Sequence, residues 1–232
     1  MLKLLLLLSL IACKIALSAS FCHSSGVSSF RSRSGILLHA TKSDDSSSAT
    51  TTTTPWTLEQ LQEHALQEGV ELSISTLGPG FRTVARSTHN SSAILGYGEG
   101  FVRPNGDILH LDKMEVFSKM VKQARRDNPD FRGGGNTFGV GLLFGYQCLL
   151  HGAEQGCKIA EFLAIDDEDF QHRRLVRFYS RSGFEVIKYI GDDFQDIPAR
   201  MVWGGCGTLM RANIDDLLPL WTQILSKSKS TQ

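Results

Sequence analysis

The 232-residue chain is poor in cysteine, and nothing in the placement of its five cysteines builds a scaffold. Cys13 and Cys22 fall near the start, leaving Cys148, Cys157 and Cys206, an odd set with no C-x-x-C spacing. That disfavours a disulfide framework and a zinc site alike. It fits a reducing compartment better than an oxidising one. Cys148 lies inside an apolar run and reads as a small buried hydrophobe. Acidic residues are absent from Met1 to Lys42, where Lys3, Lys14, Arg31, Arg33 and Lys42 stand. All 24 acids but only 19 of the 24 bases lie beyond Lys42, so a formal net charge of zero hides an acidic body. An acidic body with no basic stripe argues against nucleic acid as a partner. The apolar run Leu4 to Ile11 is also too short to span a bilayer, which takes roughly 20 residues, so no stable membrane association is expected.

What is present begins with a leader. Lys3, the Leu4–Ile11 apolar core and the small residues Ser18-Ala19-Ser20 read as a signal peptide over 1–20. Phe21 to Lys42 is rich in serine, carries Arg31 and Arg33, and has no acid, which is transit-peptide chemistry. The two in tandem, with Phe21 just past the cleavage site, resemble the bipartite leaders of algae with secondary plastids. That resemblance implies a plastid location, with secretion as the alternative. In a secreted protein, Asn90-Ser91-Ser92 would be a glycan acceptor. Ser43 to Thr54 is a Ser/Thr-rich linker, which with the transit peptide makes up 21–54. The folded body is expected over 55–226, with 227–232 as a tail.

Within the body, Trp56-Thr57-Leu58-Glu59-Gln60-Leu61 carries a capping box and predicts a helix ending at Gly69. Alternation predicts strands over Glu71–Thr76 and Phe81–Ser87, with Gly78-Pro79-Gly80 turning the chain. Asn105-Gly106 between β-prone runs predicts a hairpin of Ala93–Arg103 and Asp107–Phe117, faltering near Asp112–Glu115 as a bulge or early end would. The sequence leaves a homodimer open, with Phe101 and Val102 on the hairpin edge as its candidate surface. The period of Met114, Phe117, Met120, Val121 and Ala124 predicts a helix from about Val116 to Arg126, followed by a polar, glycine-rich connector over Asp127–Gly135. Later come strands over Glu161–Ile165, Phe184–Ile190 and Ala199–Arg211, the last broken at Gly204-Gly205, and a closing helix Ile214–Leu225. Antiparallel strands followed by alternating helices and strands make a mixed α/β (α+β) domain.

Chemistry concentrates between Asn136 and Phe184. Gly139 and Gly141 flank Val140 at a helix start, where missing side chains let backbone N–H groups reach a phosphate. Close helix packing explains the same glycines equally well. One phosphate scheme is a dinucleotide fingerprint, Gly139-x-Gly141-x-x-x-Gly145 with Asp166 and Asp167 about 25 residues on, which would make the chain an NAD(P)-dependent oxidoreductase. That fingerprint has to leave an apolar strand, and the polar stretch Asp127–Thr137 precedes it here.

The other scheme is acyl-CoA binding. Asn136-x-x-Gly139-x-Gly141 is similar to the Gln/Arg-x-x-Gly-x-Gly/Ala loop of the GNAT acyl-CoA N-acyltransferase superfamily. Tyr179-Ser180-Arg181-Ser182-Gly183-Phe184 resembles that family's Tyr-x-x-x-Gly-Phe signature. The resemblance, over roughly Leu95 to Met210, implies a GNAT-like, mostly antiparallel sheet flanked by helices, and acetyl-CoA or another acyl-CoA as co-substrate with no metal. It implies cofactor contacts from Asn136, Phe138, Gly139, Val140, Gly141, Leu142 and Asp167. Tyr179 is implied as the acid for the departing thiolate, and Glu115 as the base for a small-molecule or protein amine, with Asp112 behind it; His110 and His172 are further basic candidates. A CoA-binding module without catalysis is the alternative. The chain departs from the family pattern in carrying Ser118–Gly135 between strand and loop, in having Gly78-Pro79-Gly80 where acceptor-site helices normally stand, and in Asn136.

Overall fold

A computed structural model describes residues 53–135 and 137–227, all within one compact unit, Thr52–Gln232. The two leader segments, 1–20 and nearly all of 21–54, lie outside the described residues, as do Asn136 and the side chain of Phe138.

Helix α1 (Leu58–Gln67) starts where its capping box was read. The Thr57 hydroxyl accepts from the Gln60 amide at 3.3 Å, and the Gln60 side chain accepts from the Thr57 amide at 2.9 Å. Four strands follow as an antiparallel meander: β1 (Val70–Leu77), β2 (Gly80–Ser87), β3 (Ile94–Val102) and β4 (Ile108–Val116). The β3–β4 turn passes through Gly106 at φ 77°, the left-handed conformation that an Asn-Gly turn supplies. Then come α2 (Ser118–Asp127), α3 (Thr137–Glu154), β5 (Ile159–Ile165), α4 (Asp169–Arg181), β6 (Glu185–Ile190), α5 (Ile197–Trp203), β7 (Gly207–Asn213) and α6 (Ile214–Lys227). The seven strands form one sheet in the order β1-β2-β3-β4-β5-β7-β6, in which only β4–β5 is parallel. This is the mixed, mostly antiparallel sheet flanked by helices that the sequence implied.

Glycine spacing decides where α3 sits. Gly96, Gly98 and Gly100 alternate along β3, so they share one face of the sheet. A Cβ on Gly96 would lie 3.0 Å from Phe144, and one on Gly98 would lie 3.3 Å from both Phe144 and the Cys148 sulfur. The bare stripe therefore lets α3 lie directly on the strand, with Phe144 and Cys148 fully buried. α1 and α6 pack against α3 on the same side. The main core is the apolar layer between these helices and the sheet.

On the opposite face, Leu163 and Leu209, directly paired across β5 and β7, pack with Ile190 and Trp203. Trp203 ends α5, and here the structure corrects the expected strand over Ala199–Arg211. Pro198 stands in the first turn of a helix and Gly204 closes it at φ 78°. These are helix start and stop signals that outweighed the β-prone Val202-Trp203 pair. The placement of Phe101 and Val102 at an edge is corrected too. Phe101 and Val102 lie on an inner strand, with Phe101 paired to Gly80 on one side and His110 on the other, so they offer no free edge.

Candidate functional site

The sheet comes apart at its centre. β4 and β5 pair from Ile108↔Ile159 to Leu111↔Phe162, and the ladder stops there although β4 continues to Val116 and β5 to Ile165. The cause lies one strand over. Gly100 faces Leu111 while Glu99 faces Lys113, which leaves Asp112 as an extra residue on β4. Such a bulge bends its strand and raises the local twist, and bulges recur beside active sites. Beyond Leu111 and Phe162 the facing backbone edges of the two strands run without each other, leaving a wedge inside the sheet rather than at its margin.

Tyr179 stands at the closed end of the wedge. It comes from the last turns of α4, and its ring lies 4.2 Å from that of Phe162, the last β5 residue paired to β4. Phe178 and Phe184 surround it. Loss of water, and secondarily the neighbouring Cys148, pushes its phenol up to about 12. Its hydroxyl makes no hydrogen bond to another described residue. It is therefore a neutral donor at physiological pH, aimed by packing. A thiol ordinarily titrates near 8.5, so full proton transfer from this phenol to a thiolate is uphill, whereas hydrogen-bond donation to a developing sulfur anion is not.

Glu115 lies on the other face. It pairs across the ladder with Tyr97, whose hydroxyl donates to it at 3.1 Å, and the Lys113 ammonium sits 3.0 Å away. The hydrogen bond from Lys113, then that from Tyr97, holds its carboxyl below the usual range. A carboxylate held this way is a weak proton acceptor, which counts against Glu115 as the base. The two histidines are engaged elsewhere. His110 is fully buried between Phe101 at 4.3 Å and Trp203 at 3.9 Å, with Nε2 4.0 Å from the Asp112 carboxylate. His172 Nε2 lies 3.0 Å from the Thr208 hydroxyl and its Nδ1 lies 3.6 Å from Asp166. Of the acids considered, Asp112 is the one at the bulge itself, where β5 leaves.

The glycine stretch does more packing than its motif implies. A Cβ on Gly141 would come 3.2 Å from Val116, on Gly145 2.9 Å from Met114 and Trp221, and on Gly152 2.8 Å from Leu109. Gly139 lies under the connector, where a Cβ would run into the Gly134 carbonyl oxygen. Gly133, Gly134 and Gly135 all have positive φ; Glu68 holds the first two, and the Gly135 amide donates to the Arg132 carbonyl. The Glu68 carbonyl accepts from the amides of Arg132 and Gly133, and its carboxylate accepts from Gly134 at 3.1 Å. In a helix starting at Thr137, the amides from Gly141 onward belong to its own ladder, Leu142 among them. The Val140 and Leu142 side chains are core residues. Asp167 is exposed in the β5–α4 connection. Asn136 and the Phe138 side chain fall outside the described residues.

Next to this covered helix start is a cavity of ≈ 270 Å³ lined by Glu68, Arg125, Pro129, Asp130, Phe131, Arg132 and Gly135. In sequence, Asp127–Gly135 reads as a polar, glycine-rich connector, which hides the cavity. The signal was the run of bases on α2.

No family model matches the chain, and no curated protein matches it. Solved structures similar to it include a nourseothricin acetyltransferase (13% identity, TM-score 0.38, covering 63% of this chain and 85% of the other). Another is a GNAT-family acetyltransferase of Staphylococcus aureus Mu50 (20% identity, TM-score 0.38, covering 68% and 75%). A third is an aminoglycoside 6'-N-acetyltransferase complexed with coenzyme A (12% identity, TM-score 0.36, covering 59% and 73%).

Proposed function

We propose that the chain is a divergent GNAT-type N-acyltransferase that uses acyl-CoA, with acetyl as the acyl group. The observation carrying this reading is the wedge between β4 and β5 with Tyr179 at its closed end. Facing strand edges that lack a ladder partner suit an extended ligand bearing amides, which would take up the free backbone groups as an added strand does. The thiol arm of CoA is such a ligand, and its thioester would end near Tyr179. The amine nitrogen attacks the thioester carbonyl, the C–N bond forms, and the C–S bond breaks with its electron pair on sulfur. Tyr179 donates a hydrogen bond to that sulfur, and the proton lost by the amine passes to water. The Asp112–Glu115 side of β4 faces the acceptor.

Acetyl-CoA should raise the melting temperature, and a panel of amines should release free thiol from it. No shift at millimolar acetyl-CoA would overturn the reading. A second reading, a CoA-binding module without catalysis, draws support from Glu115 being held by Lys113 and Tyr97. Acetyl-CoA binding without transfer to any amine, small or on protein, would select it. We also propose that the leader directs the protein to a plastid; a fluorescent fusion of residues 1–54 that is secreted instead would reject this.

A further inference from the structure

Ser118–Gly135, the segment between β4 and α3, differs in charge from the rest of the body. It carries Lys119, Lys122, Arg125, Arg126 and Arg132 against Asp127 and Asp130, within a body where acids outnumber bases. The whole-body count conceals this basic island. Lys119, Lys122, Arg125 and Arg126 are all exposed on α2, while Val121 and Ala124 anchor the helix to the core. The island borders the ≈ 270 Å³ cavity beside the start of α3. Arg125 and Arg132 line that cavity, and neither guanidinium is ion-paired among the described residues. Among the described residues, the one hydrogen bond of the Arg125 guanidinium, at 3.3 Å, goes to the Arg132 carbonyl. Of the two acids in the wall, Glu68 is buried and engaged by the Gly134 amide at 3.1 Å, and Asp130 is exposed.

We infer that this cavity binds the phosphate groups of the acyl carrier through Arg125 and Arg132, in place of the glycine amides of α3. The inference rests on the acyl-CoA reading above and changes how the cofactor is held. The connector packs over Gly139, its own glycine amides are taken by Glu68 and the Arg132 carbonyl, and the same segment supplies two guanidiniums at the helix start. A guanidinium presents paired N–H donors to a phosphate, and such charge-assisted bonds are among the stronger ones.

The test is calorimetric titration of the full chain with acetyl-CoA, S-acetyl-pantetheine and inorganic pyrophosphate. The wild type should bind acetyl-CoA more tightly than acetyl-pantetheine, and pyrophosphate should compete with acetyl-CoA. Arg132→Gln should weaken acetyl-CoA by about ten- to a hundredfold, the loss expected for charged hydrogen bonds, and leave acetyl-pantetheine unchanged. Arg125→Gln is the second variant, because Arg132→Gln preserves the Arg125 bond to the Arg132 carbonyl, so misfolding of one leaves the other as a test. The inference is overturned if both folded variants keep the wild-type preference for acetyl-CoA, or if pyrophosphate neither binds nor competes. If the wild type binds neither acyl compound, the acyl-CoA reading fails. In that case pyrophosphate binding that Arg132→Gln abolishes would still support the cavity as a phosphate site.

Discussion

At Tyr179 one environment serves two ends. The aromatic cage of Phe162, Phe178 and Phe184 fixes the ring, and the same dehydration pushes the phenol up to about 12. Tyr179→Phe should therefore preserve the fold and the apparent affinity for acetyl-CoA. It should lower kcat by about ten- to a hundredfold, the worth of one hydrogen bond to a charged sulfur. Equal turnover by the variant would remove the hydroxyl from the mechanism. The nearby Cys148 thiol is also pushed up to about 12, mainly by burial. For both groups the folded value is the higher. The stability tied to their neutral forms is intact below the unfolded values and is lost as pH rises toward 12. Denaturant titrations between pH 8 and 11 should show stability falling with pH in the wild type. The slope should be shallower in Cys148→Ala, even though that variant starts from a lower stability. Parallel curves would mean that Cys148 is not the group responsible.

At the level of elements, legibility followed local signals. The α1 capping box, the Asn105-Gly106 turn and the alternation of β1 and β2 are short-range patterns, and each lies where its residues placed it. The bulge at Asp112 showed as faltering alternation, but its consequence, the β4–β5 divergence, depends on a strand 50 residues away and left no local trace. The packing of the motif glycines is long-range for a related reason. Gly139, Gly141 and Gly145 fit a phosphate loop by spacing, yet each meets a neighbour distant in sequence or across a turn: Gly134, Val116 and Trp221. In β3 the Gly96-x-Gly98-x-Gly100 stripe is the counterpart of this packing. Gly96→Ala would place a methyl 2.6 Å from the Glu115 carbonyl oxygen, which is backbone and cannot rotate away. It should cost about 1–3 kcal/mol, the usual range for overpacking, and separate α3 from the sheet enough to lower the thermal midpoint. An unchanged midpoint would mean that the stripe does not set the α3–β3 distance.

For the molecule as a whole, the arrangement amounts to a sheet that is continuous at one end of its central strands and open at the other. The four-strand meander β1–β4 and the trio β5-β7-β6 share only the short ladder Ile108–Leu111 against Ile159–Phe162. Above that ladder, Lys113–Val116 remain bonded to β3 on one side, and Leu163–Ile165 to β7 on the other. Each segment then presents alternate N–H groups to the wedge without a partner strand. Those amides should exchange with solvent quickly, while amides of the same strands below the split exchange slowly, because the latter are laddered on both sides. A ligand that enters as an added strand reverses this for both segments together and leaves the outer edges β1 and β6 unaffected. Hydrogen exchange with and without acetyl-CoA therefore distinguishes binding in the wedge from binding anywhere else. Protection should appear over Lys113–Val116 and Leu163–Ile165, and over Asn128–Gly135 if the arginine cavity holds the phosphates. Protection confined to the second region would keep the phosphate site and remove the wedge from the mechanism, because a thioester held elsewhere would not reach Tyr179.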